Sequence, residues 1–178
     1  MVLLIFILVV CIFFFAYKKK VVVKKELNAE ECISADKIYM AQNYSADFKW
    51  YETGITLKDY LDKDGGEIES IENVFQVSIN GDPLVIIFVH NESNDKIEEV
   101  HSFWIEDFPI DNIEITYQQV LEIINKVNLP KPHSKQCVLR KQVGPKQCNA
   151  QYIFGNQQAQ LYVDAVTGSV TDKNPAFN

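Results

Sequence analysis

Apolar and polar positions alternate through ENVFQVSIN, residues 72 to 80, with Phe75, Val77 and Ile79 on one side and Gln76, Ser78 and Asn80 on the other. A period of two predicts a half-buried strand. Asn80-Gly81 then supplies a two-residue hairpin turn, which favours Asn-Gly because both of its central positions need positive φ. PLVIIFVH, residues 83 to 90, is a continuous apolar run rich in β-branched side chains, so it predicts a strand covered on both faces. Beyond the polar turn NESNDK, the stretch EEVHSFWIED predicts a third strand with His101, Phe103 and Ile105 on one side. The three form a meander.

In ITYQQVLEIINKVN, residues 115 to 128, the period lengthens to that of a helix, and Val120, Ile124 and Val127 make one apolar stripe. Thr116 is placed as N-cap, Gln119 completes a capping box three residues on, and Ile115 and Val120 can staple the first turn. Pro130 and Pro132 stop the helix, and QCVLRKQV, NAQYIF and QLYVDA predict three further strands. The reading is an α+β chain: an antiparallel sheet with a helix packed across it. Sixty residues earlier, ITLKDYL repeats the Ile-Thr start and the Leu offset of ITYQQVL, which would make the first half helix-then-strands as well; shared capping chemistry explains the echo equally well. Residues 26 to 50 show no sustained period and read as a linker entering the first element.

The N-terminus is different in kind. Residues 2 to 17, VLLIFILVVCIFFFAY, carry no charge, Gly or Pro, and as a helix they would reach roughly 24 Å at about 1.5 Å per residue. Val21 to Val23 extend the run if Lys18 to Lys20 snorkel. A cleaved signal peptide is disfavoured, because no basic residue precedes the run and Phe15-Ala16-Tyr17 is a poor cleavage site. Cys11 lacks the small residue expected before a lipidated cysteine, so it reads as a lipid-facing side chain. The organisation expected is therefore a single-pass anchor with a basic flank over residues 1–25, a first half over 26–112 and a second over 113–178.

From Glu26 onward twelve basic residues face twenty-four acidic ones, and a surface that acidic repels phosphate backbones, which excludes nucleic acid as a partner. Two signals dispute the side of the membrane. The lysines at 18–20, 24 and 25 argue for a cytoplasmic domain. Cys137 and Cys148 argue the other way: they bracket CVLRKQVGPKQC, whose Gly144-Pro145 marks a turn, and could face each other on adjacent strands as a disulfide. Two small buried thiols are the ordinary alternative.

Candidate chemistry is sparse. His90, His101 and His133 lack HxH, HxxxH or CxxC companions, so neither a metal nor a cofactor is implied. No nucleophile signature surrounds the serines or cysteines. Adjacent acids such as Glu98-Glu99 point to opposite faces of a strand. In LYVDAVTGSV, Asp164 stands two residues too far from Thr167 and Gly168 for an aspartic protease loop, and it reads instead as a strand end whose carboxylate accepts backbone N–H groups while Gly168 takes positive φ.

The capped helix, the aromatic strand QYIF and the closing Asp-Ala-x-Thr-Gly-x-Val of residues 164 to 170 together resemble the PepSY domain, over residues 114 to 172. Cys137, Cys148 and the Gln- and Asn-rich middle depart from that pattern. The resemblance implies a PepSY/cystatin-like α+β unit that is not an enzyme. It further implies a module that binds or restrains a peptidase or another membrane protein outside the cell, held to the lipid bilayer through residues 2–17. In that setting Asp164, Thr167, Gly168, Thr116 and Gln119 are structural. The rival expectation is a structural or assembly subunit of a membrane complex with an acidic soluble domain.

Overall fold

The computed structural model describes residues 25–63, 65–104, 107–156 and 158–177. The expected anchor at residues 2–17 lies outside them, and no described helix is long and apolar enough to cross a membrane.

Helix α1 (Ala29–Asn43) opens the described chain. Asn28 caps it by accepting from Glu31 N at 3.0 Å, and Glu30 and Glu31 sit favourably in the positive first turn. Strands β1 (Lys49–Leu57), β2 (Ile68–Ile79), β3 (Asp82–Asn91) and β4 (Asp95–Val100) follow. A two-residue strand β5 (Asp107–Phe108) leads to helix α2 (Tyr117–Lys126), and then come β6 (Gln136–Gln142), β7 (Gln151–Gly155), β8 (Gln160–Asp164) and β9 (Val170–Thr171). They build one antiparallel sheet in the order β4-β3-β2-β1-β6-β7-β8-β9, with β5 joined to the end of β6. The first strands after the two helices, β1 and β6, meet in its middle.

Register assigns the faces. Ile55, Ile71, Phe75, Ile86, Phe88, Cys137, Leu139, Tyr152, Phe154, Leu161 and Val163 occupy one face and form a single apolar cluster with Ile33 and Met40 of α1 and Tyr117, Val120 and Ile124 of α2. Both helices thus cover the same side. The fold is α+β, an antiparallel sheet under two helices.

The first two strands of the meander and the elements of the second half lie where the periodicity put them, and Asn80 (φ 55) and Gly81 (φ 93) make the hairpin turn. Four expectations are corrected. ITLKDYL does not begin a helix: Ile55 and Leu57 alternate onto the core in β1, whose backbone pairs with β2 on one side and β6 on the other. Residues 29–43 are helix rather than linker. PLVIIFVH is fully covered only on the helix side; of the opposite face Val85 is buried, while Ile87 and Val89 are half-buried. The third strand ends at Val100, after which the chain leaves the sheet and Trp104 N donates to Gln76 Oε1 at 2.6 Å.

Candidate functional site

Sequence-marked residues converge beside α2. Thr116 accepts from Gln119 N at 3.3 Å while the Gln119 side chain accepts from Thr116 N at 2.8 Å. Asp164 ends β8 and accepts from Val166 N at 2.9 Å, Thr167 N at 2.8 Å and the Asn149 and Gln151 amides. Burial pushes its pKa up, but the Thr167 and Val166 N–H bonds and the two amides outweigh that and hold it below the ordinary carboxylate range. Gly168 sits at φ +73 and donates to Asp164 O, and a Cβ there would lie 3.1 Å from Ile123 of α2. Ala165 O accepts from Glu114 N and Ile115 N, so the turn carries the entry to the helix. The geometry is that of a joint.

Cys137 and Cys148 are not opposed. Cys137 pairs with Phe154 across β6 and β7, and the same register places Cys148 beyond Arg140, some six residues or roughly 20 Å along the strand at about 3.3 Å per residue. A disulfide needs Cα atoms within about 7 Å. All three described cysteines are free, and burial raises each thiol, Cys32 to about 11. None is poised as a nucleophile. His101 is exposed, and His133 stacks on Tyr60 with Nδ1 2.9 Å from Asp62. Among the described residues no group of three or more His, Cys, Asp or Glu could hold a metal ion.

The principal polar assembly was not legible as a motif. Asp36, buried on the core side of α1, lies 2.9 Å from His90 Nε2 and accepts from Asn73 Nδ2 at 2.7 Å. Thr53 Oγ1 donates to Asn73 Oδ1, and Trp50 Nε1 to Thr53 Oγ1. On its other side His90 Nδ1 lies 3.0 Å from Asp95, which Lys25 Nζ also reaches at 3.0 Å. The Asp36 hydrogen bond, opposed by burial and reinforced by Asp95, raises the His90 pKa. A carboxylate at each ring nitrogen favours the imidazolium, which donates to both. Further along β4, Tyr44 OH donates to Glu99, and Tyr39 packs edge-on against Phe88 at 5.5 Å. Together these contacts brace β4 from the helix side at both ends.

Between the braces the edge is bare. β4 ends the sheet and has no strand on its outer side among the described residues. Ile97 is 41% exposed, Tyr39 39% and Val100 44%. The opposite edge is the two-residue β9, too short to accept a strand of useful length.

A second charged group lies on the sheet face away from the helices. A bulge at Tyr51 turns Glu52 there, where Arg140 Nη1 is 4.0 Å away and Arg140 Nε is 3.8 Å from buried Asp107. Burial, then the Asp107 carboxylate, pushes Glu52 up to about 7 against the pull of Arg140. A cleft of about 920 Å³ separates the starts of the two helices, where Glu30 accepts from Tyr117 N; Glu26, Glu31, Glu67 and Glu92 outnumber Lys25 and Lys58 around it. The sequence hints to the buried groups were polar residues in core-facing slots: Asn73 between Ile71 and Phe75, and His90 closing an apolar run.

Compared with models of known protein families, with curated proteins and with solved structures, the chain matches none.

Proposed function

We propose that the chain is a membrane-anchored, non-catalytic binding module whose binding element is the free edge of β4. One observation carries this reading: the edge is long enough to take a strand, is fixed from behind by Asp36, His90 and Tyr44, and carries exposed Ile97 beside exposed Tyr39. Adding an extended segment to such an edge gives affinity through main-chain pairing and selectivity through alternate side chains. Residues 2–17 serve as the anchor, with residues 26–112 and 113–178 as two related halves, the second PepSY-like. The order supports this: each half runs a helix and then antiparallel strands, and their first strands pair with each other. The partner class that the resemblance implies is an envelope peptidase, with the soluble part outside the membrane. Since Cys137 and Cys148 are apart, that placement rests on the resemblance, against Lys18 to Lys25.

Tagged full-length chain, cross-linked in membranes of its source cell and recovered in mild detergent, is expected to bring peptidase activity with it. Ile97→Lys, a substitution at an exposed edge position, is expected to abolish that recovery while leaving the circular dichroism unchanged. Undiminished recovery with Ile97→Lys would remove β4 as the binding element. Absence of peptidase activity, under conditions that retain known complexes, would remove the peptidase.

A further inference from the structure

We infer that the resting occupant of the β4 edge is β4 of a second copy of this chain, paired antiparallel about a two-fold axis centred on Ile97. The inference rests on the reading of β4 as the binding edge and names its partner.

An edge strand can pair antiparallel with its own copy only about a two-fold normal to the sheet. Such an axis keeps each face on its own side, and the register must centre on a single residue. Centring on Lys96 opposes two lysines, and centring on Glu98 opposes two glutamates, each destabilising. Centring on Ile97 sets Ile97 against Ile97 of the second copy on the helix side, where Tyr39 of each chain flanks the contact through its shared neighbour Phe88. On the other face it sets Lys96 of each chain opposite Glu98 of the other. Among the described residues of the single chain, exposed Lys96 and half-buried Glu98 pair only with each other along the same strand. Asp95 comes opposite Glu99 of the second copy, but Asp95 already holds Lys25 and His90, so a cation stands beside each such acid pair.

The position at which the described chain begins fits the same axis. Lys25, the first described residue, bonds Asp95 on the helix side of the edge. A two-fold normal to the sheet puts both Lys25 residues on one face of the joined sheet. Two anchors entering one bilayer require the described chains to begin on the same side, and this axis places both Lys25 residues there. Confinement in a membrane raises the effective concentration of the copies, so a short seam suffices. An incoming partner strand would displace this pairing.

Directly opposed residues have Cα atoms about 4.5–5.5 Å apart, within disulfide reach. The test uses full-length chain in its membrane with Cys11→Ser and Cys148→Ser as background. Ile97→Cys is expected to give a disulfide-linked dimer on mild oxidation. Lys96→Cys and Glu98→Cys are each expected to give little alone and a mixed dimer together, and Val100→Cys little. No dimer above background at Ile97→Cys, or equal yields at Ile97→Cys and Val100→Cys, overturns the pairing. If Ile97→Cys fails to cross-link yet Ile97→Lys still abolishes partner recovery, self-pairing falls and the binding edge stands; if neither substitution has an effect, both fall.

Discussion

Two side chains on opposite faces of the sheet, His90 and Glu52, give stability the same dependence on pH. His90 is raised above its ordinary 6.5 by Asp36 and Asp95, so its contribution is complete below that value and is lost as pH rises through the folded pKa. Glu52 rises from 4.5 to about 7, so the folded chain holds a proton that the unfolded chain has released, and stability falls across that interval as pH increases. Asp95 and Asp164 behave oppositely, since both are lowered from 3.8 and their contribution disappears only as pH drops below that. Denaturant midpoints measured from pH 3 to 9 should therefore peak on the mildly acidic side, between about 4 and 5, and decline through neutrality. Glu52→Gln should flatten the decline between 4.5 and 7 and leave the acid limb alone; an unchanged profile would show that Glu52 titrates normally. Little of this was readable in the sequence, because Glu52 and Arg140 are eighty-eight positions apart and only the β1–β6 register brings them face to face.

Helix α2 and the three strands after it were legible because each level of the sequence agrees: a capping box, an apolar stripe and alternating runs bounded by turn residues. Helix α1 was hidden. Its buried positions, Ala29, Cys32, Ile33, Asp36 and Met40, have helical spacing, but two are small and one is a carboxylate, so no apolar period stands out. The same Asp36 that masks the helix anchors the network beneath β4. β1 misled for the opposite reason, since Ile55-Thr56 resembles a capped helix start locally while ladders on both sides decide for strand. The turn between β8 and β9 offers a direct check. Gly168→Ala places a side chain at positive φ and against Ile123, and should cost on the order of 1–3 kcal/mol in denaturant unfolding. Asp164→Ala should also destabilise by loosening the same joint, and no loss from either would sever the turn from the helix entry.

Across the molecule, accessibility sorts the thiols. Cys137 is fully buried and Cys32 nearly so, whereas Cys148 is half-buried in the approach to β7. A membrane-impermeant maleimide should modify Cys148 well ahead of the other two, with prior reduction making no difference; reactivity that appears only after reduction would mean the thiol is bonded. In intact cells, labelling of Cys148 would put the sheet and its two helices outside, and labelling only after lysis would put them inside. The seam at the middle of the sheet also imposes an order of events. Partners in the β1–β6 ladder, Thr56 with Gln136 through Glu52 with Arg140, are made eighty to eighty-eight residues apart. While the chain is being synthesised, a completed first half must wait with the inner edge of β1 unsatisfied until β6 emerges. Truncation anywhere before Gln136 would make that wait permanent, so the product should be a nucleus for aggregation rather than a smaller working domain.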